Sequence, residues 1–399
     1  MNLISDEIVE HLKEGSWIKD LFEKGSQLKQ IYSDDMIFDF SLGNPIIEPP
    51  TNFKTKLKEL VINSPGNVHG YLSNQGLIGA REKIASFLAD LYKHHFYQES
   101  IVITTGASGA LNVALKSILN PNDEVIVLVP YFVEYKYYIR NAQGIPIYCN
   151  LDNDFQIDCD EISSKITART KAIIINTPHN PTGCVFSNKS ISELANLLKE
   201  REEKYNSNIY MLFDAPYTQL TYDNIKNVDP FKSYHRVIYA SSFSKDLGLA
   251  GERIGFIALD KDTPGHDLLI SAFTFSNRIL GFVNAPALMQ HVLANTDKLI
   301  IQKDAYKKHR DLTMNILEEA DFDFKKTQGG FFIFPKSPLE DDLEFCNLAA
   351  EKFNILIVPG KSFGCPGYFR MSFSVKLETI EAARVPLKAL KNYIDMNYY

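Results

Sequence analysis

The sequence has few cysteines, and they follow no pattern that would cross-link the chain. Five cysteines occur among 399 residues, an odd number, and no two of them form a Cys-x-x-Cys pair. This usage is typical of reduced thiols in a cytosolic enzyme and argues against a disulfide framework. We therefore expect a cytoplasmic protein without a metal site.

Long apolar runs and an excess of positive charge are also missing. No stretch is long enough to span a bilayer, and no basic segment at the N-terminus leads into an apolar one. The formal net charge is −7, which disfavours non-specific binding to nucleic acid or to anionic lipid. We expect neither nucleic acid nor a membrane as a partner.

The remaining composition is that of a globular protein, with 45% hydrophobic and 23% charged residues. Between residues 101 and 258, near-continuous apolar runs alternate with helical segments, as in a parallel sheet covered by helices on both faces. The C-terminal part mixes short predicted strands with helices, as in a smaller α+β domain. We predict an α/β protein with a mostly parallel central sheet in a large domain of residues 51–287. Residues 1–50 and 288–399 would form a smaller α+β domain.

One lysine stands at the end of a predicted strand, in the sequence Ser-Ser-Phe-Ser-Lys-Asp-Leu-Gly-Leu-Ala-Gly-Glu-Arg-Ile-Gly of residues 241–255. Desolvation at such a place favours the neutral amine of Lys245, which can condense with an aldehyde. Arg253 and the hydroxyls of Ser242 and Ser244 are donors suited to a phosphate. Pyridoxal 5′-phosphate (PLP) is an aldehyde that carries a phosphate and uses a lysine Schiff base.

Two other predicted strand ends carry groups that suit the same cofactor. Gly106, Ala107 and Ser108 follow the strand 101–105 and open a helix, whose free N–H groups and dipole attract an anion. Asp214 ends another apolar strand, and a buried carboxylate requires a partner. A protonated pyridine nitrogen is such a partner, and the pair makes PLP an electron sink.

Residues 241–255 resemble the lysine signature of the class I and II aminotransferases, the aspartate aminotransferase-like branch of the fold-type I PLP enzymes. Asn-Thr-Pro-His-Asn-Pro-Thr-Gly at 176–183 resembles the Asn-Pro-Thr-Gly loop of that family, and Phe-Arg-Met-Ser at 369–372 resembles its arginine motif. The resemblance extends over residues 42–370. It implies the three-layer PLP-transferase fold and PLP as the cofactor.

The resemblance also implies roles for individual side chains. Asn180 and Tyr217 would donate to the phenolate oxygen of the cofactor, and Phe132 would stack on its ring. Core packing among neighbouring tyrosines is the other interpretation of Phe132. Arg370 would bind the α-carboxylate of the substrate bidentately, and Gly43 would meet that carboxylate from the other side. Asn180 is also expected to face the substrate.

Tyr71 lies in a glycine-punctuated loop. In the resembling family a tyrosine at this place reaches the cofactor phosphate of the neighbouring subunit, which implies a homodimer. Simple packing is the alternative interpretation. We interpret His179 and Cys184 as loop structure and packing, with no assigned role.

Together these residues predict a PLP-dependent aminotransferase that moves the amino group of an L-amino acid to a 2-oxo acid by a ping-pong mechanism. Lys245 would be both the Schiff-base lysine and the base that moves the Cα proton. The substrates stay open among aspartate, aromatic and aliphatic donors. The Leu-Gly-Asn-Pro turn at 42–45 is shorter than the usual double-glycine form of the family. No second arginine is an obvious ligand for the side-chain carboxylate of a dicarboxylic substrate.

Other activities remain on the same scaffold, because one fold supports several chemistries. A carbon–sulfur β-lyase, a decarboxylase or a cyclising synthase would use the same lysine. Tyr217 favours the aminotransferase, since the related lyases tend to carry a histidine there. A PLP-type sensor domain of a transcription regulator would need a basic DNA-binding segment, and none precedes residue 40. A catalytically inactive scaffold or interaction protein is disfavoured, because all the polar residues expected at the site are present in the sequence.

Overall fold

A computed structural model describes residues 3–14, 36–63, 66, 68–94, 96–297, 299 and 303–398. Contacts divide the chain into two compact units. The larger unit comprises Asn44–Lys307 and Lys326–Phe332, and the smaller one comprises Met1–Gly43, Lys308–Lys325 and Ile333–Tyr399.

The strands in the described ranges have these bounds: β1 Phe38–Asp39, β2 Ile101–Thr104, β3 Glu124–Val129, β4 Ile145–Asn150, β5 Thr170–Asn176, β6 Tyr210–Asp214, β7 Val237–Ser242, β8 Gly255–Ala258, β9 Phe332–Ile333, β10 Ile355–Leu356, β11 Val358–Pro359 and β12 Phe369–Ser372. The helices have these bounds: α1 Asp6–Glu14, α2 Thr51–Asn63, α3 Ile78–Tyr92, α4 Gly106–Ile118, α5 Tyr135–Asn141, α6 Cys159–Lys165, α7 Asn188–Tyr205, α8 Pro230–Ser233, α9 His266–Ile279, α10 Ala287–Asn295, α11 Lys303–Glu319, α12 Asp342–Phe353, α13 Leu377–Ala382 and α14 Arg384–Tyr398.

The larger unit is built on a seven-stranded sheet with the order β2-β8-β7-β6-β5-β3-β4. Strands β3 to β7 run parallel to one another, and β8 runs antiparallel to both of its neighbours. The structure confirms the predicted α/β class with a mostly parallel sheet. Strand β4, which the sequence analysis did not predict, lies at one edge.

The sheet is apolar because both of its faces are covered. Every residue of β2, β3, β6 and β8 is buried. On one face, apolar side chains of helices α4 and α9 join those of the strands in a single core cluster. Burial of this surface is the main favourable term in the stability of such a layer.

The carboxyl edge of the sheet brings together polar residues that are distant in sequence. Asn176 at the end of β5 is the register partner of Asp214 at the end of β6. Gly255, at the start of the reversed strand β8, pairs with both Thr104 of β2 and Ser242 of β7. Open α/β sheets bind ligands at this edge, so it positions the candidate site.

The smaller unit contains two short strand pairings. Strand β1 pairs with β10 in parallel, and β11 pairs with β12 in antiparallel, with Val358 opposite Arg370. The backbone N–H of Ser372 donates to the carbonyl of Phe40 over 2.8 Å, which ties the N-terminal segment to β12.

The unit boundaries differ from the predicted ones, which fall after residues 50 and 287. Residues 44–50 and 288–307 lie in the larger unit. Helix α10 packs on α2 and α3 there, and the backbone N–H of Leu77 donates to Gln290 Oε1 over 2.8 Å. No helix in the part of the chain that the structure describes has the length and apolar character needed to cross a membrane.

Candidate active site

Asp214 is a buried carboxyl at the centre of the carboxyl edge, and 5% of its surface is exposed. The hydroxyl of Tyr135 donates to its Oδ2 over 2.5 Å. Its Oδ1 is buried and has no hydrogen-bond partner among the described residues. Burial raises the pKa of Asp214 to about 7, and the Tyr135 hydrogen bond opposes that rise. Such an acceptor is suited to a donor supplied by a ligand.

Asn176 connects Asp214 to the loop that follows β5. Its Nδ2 donates to the backbone carbonyl of Asp214 over 2.9 Å and lies 3.4 Å from Oδ2. Its Oδ1 accepts from the backbone N–H of Asn180 over 2.7 Å. Asn180 is buried, as is Tyr217, whose ring meets that of Phe331 edge-on at 5.3 Å.

Lys245 lies in the turn after β7 and is half-buried. Its Nζ lies 5.6 Å from the centre of the Phe331 ring, so Lys245 and Tyr217 share an aromatic neighbour. The hydroxyls before it are enclosed: Ser242 and Ser244 are both buried, and Ser242 Oγ accepts from the Ser244 N–H over 3.4 Å. The amine therefore lies beside an aromatic ring, and the small side chains that precede it in the chain are buried.

The N-terminus of helix α4 forms a cradle with Arg253. No side chain caps the first turn, which contains Gly106, Ala107 and Ser108, so its N–H groups can bind an anion. A Cβ added to Gly106 would lie 2.9 Å from Arg253 Nη2, and one added to Gly255 would lie 2.5 Å from the Gly106 carbonyl carbon. Gly255 is required by this close approach to backbone, whereas a side chain at Gly106, whose φ is +76°, would displace the end of the Arg253 side chain.

The cradle is linked to Asp214 through helix α5. The side chain of Tyr138 is hydrogen-bonded to Ser108, and it also interacts electrostatically with Asp214 and Arg253. Burial raises the pKa of Tyr138 to about 12. Phe132, just before α5, is half-buried and meets the Tyr135 ring edge-on at 5.5 Å.

Three further predicted site residues have surroundings of their own. Tyr71 is 100% exposed and lines a cavity of about 380 Å³ together with residues 69, 70, 72, 282–285 and 287. Arg370 and Gly43 belong to the smaller unit. There, Arg370 Nη2 donates to the backbone carbonyl of Ser41 over 2.9 Å, and the guanidinium lies 4.8 Å from the Phe363 ring centre.

His179 and Cys184 are both buried. Burial lowers the pKa of His179 to about 3, and its Nδ1 lies 2.8 Å from Thr182 Oγ1. A histidine this hard to protonate is a poor general base near neutral pH. Cys184 Sγ lies 3.9 Å from the carbonyl of Asp154. These contacts are those of loop structure and packing.

Sequence reasoning missed two residues of this site, Tyr135 and Asn176. Tyr135 was one of several tyrosines that suit core packing, and nothing in its local sequence pairs it with Asp214. Asn176 could have been found, because a polar residue that ends a buried strand commonly faces a ligand or a partner at the sheet edge.

The residues at this edge fit PLP. The buried Oδ1 of Asp214 accepts no hydrogen bond from the described residues, so it is suited to accept one from a pyridinium N–H. The uncapped first turn of α4 and the guanidinium of Arg253 suit a phosphate. Lys245 supplies an amine for an aldehyde. No group of acidic, histidine and cysteine side chains among the described residues is arranged to hold a metal ion.

Comparison with known proteins gives consistent matches. The family model for aminotransferase class I and II matches residues 35–385. A probable aspartate aminotransferase of Methanocaldococcus jannaschii is 32% identical over 375 residues, which cover 90% of this chain and 95% of that protein. A probable N-acetyl-LL-diaminopimelate aminotransferase of Bacillus subtilis is 29% identical and covers 89% of this chain and 90% of that protein.

Among solved structures, the crystal structure of an amino transferase from Eubacterium rectale has a TM-score of 0.94 at 32% identity, and the two chains cover each other completely. A family match over most of the chain agrees with the fold. The protein is therefore a transaminase that belongs to the class I and II aminotransferases.

Proposed function

We propose that this transaminase uses PLP bound to Lys245 to move the amino group of an L-amino acid to a 2-oxo acid. The family implies PLP, and the observation that carries the proposal is Asp214. Its carboxyl is buried with one oxygen lacking a hydrogen-bond partner in the described ranges, at the sheet edge where the Lys245 turn begins. When bound, PLP supplies an aldehyde that takes an amino group from one substrate and gives it to the next, a ping-pong course.

Each of the candidate site residues has a definite role in this proposal. Lys245 Nζ holds the cofactor covalently and, once released, takes the proton from Cα of the amino acid. Asp214 stabilises the protonated ring nitrogen by its charge. Asn180 and Tyr217 donate to the phenolate oxygen, and Phe132 packs on the ring face.

The phosphate is proposed to bind at the start of α4, with the first-turn residues 106–108 and Arg253 as its ligands. The hydroxyls of Ser242 and Ser244 are further donors in the proposal. The support is the uncapped first turn beside an exposed guanidinium, a pairing of helix dipole and cation that favours a dianion.

Replacing Gly106 by alanine is expected to weaken PLP binding by about tenfold or more, because the added Cβ displaces the guanidinium and one charge-assisted hydrogen bond is lost. The matched control is Gly265→Ala. Gly106 and Gly265 have nearly equal φ values, +76° and +77°, but nothing lies within 4 Å of a Cβ at Gly265. Titration of the cofactor-free variants with PLP is the measurement. Equal weakening in both variants would mean that backbone strain, and not the cradle, is responsible.

We further propose that Arg370 binds the α-carboxylate of the substrate, with Gly43 and Asn180 as additional contacts. The guanidinium of Arg370 is oriented by the carbonyl of Ser41, which suits bidentate binding of a carboxylate. The relatives named above are described as acting on aspartate and on N-acetyl-LL-diaminopimelate. Aromatic and aliphatic amino acids stay in the candidate set with these.

A homodimer is proposed from the exposure of Tyr71, whose side chain is available to a neighbouring subunit. In that arrangement Tyr71 would reach the cofactor phosphate of the partner. Sedimentation of the active protein tests this: full activity in a monomer would contradict it.

The proposed function is tested by half-reactions with a panel of amino acids and no 2-oxo acid acceptor. We expect one equivalent of 2-oxo acid per chain, a matching change in the cofactor spectrum, and reversal when 2-oxoglutarate is added. Continuous release of pyruvate from cystathionine without an acceptor would instead identify a β-lyase. Release of carbon dioxide would identify a decarboxylase.

A further inference from the structure

The two carboxylate oxygens of Asp214 have different surroundings. Oδ2 accepts from the hydroxyl of Tyr135 over 2.5 Å and has Asn176 Nδ2 at 3.4 Å. Oδ1 is buried and accepts no hydrogen bond from any described residue. A buried carboxylate normally satisfies both oxygens. The difference between the two oxygens therefore points to a ligand at Oδ1.

Tyr135 is fixed in its orientation by its surroundings. It is the first residue of α5, it is buried, and Phe132 packs against its ring edge-on. Asn176 is fixed as well, because its amide group hydrogen-bonds at both ends, to the Asp214 carbonyl and to the Asn180 N–H. A ring and an amide held in this way define which oxygen of Asp214 is engaged.

We propose that Tyr135 is a positioning residue for the reaction: its hydroxyl engages Oδ2 of Asp214 and thereby presents Oδ1 to the ring nitrogen of PLP. Asn176 assists by holding the ends of β5 and β6 in register and by connecting Asp214 to the Asn180 loop. This inference rests on the proposed function, since it assigns Oδ1 to the cofactor. The role of Tyr135 toward Asp214 itself is measurable without the cofactor.

In the cofactor-free protein, Tyr135 acts on the proton affinity of Asp214. Burial raises the pKa of Asp214 to about 7, and the hydrogen bond from Tyr135 lowers it. Tyr138 also interacts electrostatically with Asp214 and Arg253, and Tyr217 interacts with Tyr135. Removing the Tyr135 hydroxyl removes the hydrogen bond that lowers the pKa of Asp214, while the effect of burial stays. The pKa of Asp214 should therefore rise further.

The stability of the cofactor-free protein reports this pKa. Because the folded-state pKa of Asp214 lies above its ordinary value, its contribution is full at low pH and is lost as pH rises through about 7. In Tyr135→Phe the loss should extend to higher pH, and the pH at which it levels off should lie about 1 to 2 units above that of the wild type.

The measurement is the free energy of unfolding in urea from about pH 5 to about pH 9. Each protein is compared with its own Asp214→Asn counterpart. That subtraction removes other titrating groups, including Asp246, whose pKa burial also raises to about 7. Tyr137→Phe is the matched control, because it removes a hydroxyl from the same helix and should leave the pH at which the loss levels off unchanged. Phenylalanine keeps the ring that packs on Phe132, so Tyr135→Phe preserves the core.

The loaded enzyme gives the second readout. We expect Tyr135→Phe to lower kcat about 10- to 100-fold with little change in KM, and Tyr137→Phe to match the wild type. An unchanged pH at which the loss of stability levels off, together with an unchanged kcat in Tyr135→Phe, would overturn the positioning role. If the wild type itself fails to bind PLP, the proposed function is wrong, and the assignment of Oδ1 to the cofactor is wrong with it.

Discussion

Replacing Lys245 by alanine is expected to abolish transamination, with kcat reduced by about 10³-fold or more at saturating PLP. The side chain is proposed to supply both the covalent link to the cofactor and the base that takes the Cα proton, so its loss removes two functions at once. PLP should still bind through the phosphate cradle and Asp214, although without the covalent link. The measurement is the rate of 2-oxo acid formation in single-turnover and steady-state assays.

Two controls separate amine chemistry from charge and from general packing. Lys245→Arg retains a positive charge but has no neutral amine near pH 7, so we expect it to be as inactive as the alanine variant. Lys171→Ala is the matched lysine control: Lys171 Nζ lies 5.6 Å from the Tyr210 ring centre, as Lys245 Nζ does from Phe331. It should keep full activity. Turnover by Lys245→Ala within tenfold of the wild type would contradict the proposal.

Replacing Asp214 by asparagine is expected to lower kcat by about 10²- to almost 10⁴-fold. Removing one partner of a buried ion pair costs about 3–5 kcal/mol, and the pair with the ring nitrogen matters most when electrons enter the ring. Asparagine has the size of aspartate but no charge to keep that nitrogen protonated. The measurement is the single-turnover rate with saturating amino acid, together with PLP affinity.

Asp246→Asn is the matched control for Asp214→Asn. Both carboxyls are buried, both have an Oδ1 without a hydrogen-bond partner in the described part of the chain, and burial raises the pKa of each to about 7. Asp246 accepts from the N–H groups of its own turn, a task that an amide oxygen also performs. We expect Asp246→Asn to retain activity. Equal losses in the two variants would show that buried charge in general, and not a cofactor contact at Asp214, is responsible.

Most of the architecture could be predicted from the sequence, because the patterns that indicate buried strands are local. A parallel sheet covered on both faces requires apolar strands, and runs such as 124–129 and 210–214 show that requirement directly. The candidate site residues Asp214 and Lys245 were predicted in the same way, since topology gathers strand ends at one edge.

What the sequence did not reveal depends on contacts between distant residues. Tyr135 and Asp214 are separated by 79 positions, and a tyrosine of α5 has the same local pattern whether it packs or positions a carboxylate. Strand β4 was missed because it lies at the sheet edge, contains Pro146 and is mostly exposed or half-exposed, so it lacks the apolar run of a central strand. The boundary after Lys307 depends on the packing of α10, which residue types alone do not specify.

The most direct test of the central claim is borohydride reduction of the PLP-loaded protein, followed by proteolysis and mass spectrometry. We expect one phosphopyridoxyl group per chain, attached to the peptide that contains Lys245, and none in Lys245→Ala. A protein that gains no mass after reduction, or that carries the group on a different lysine, would contradict the proposed role of Lys245.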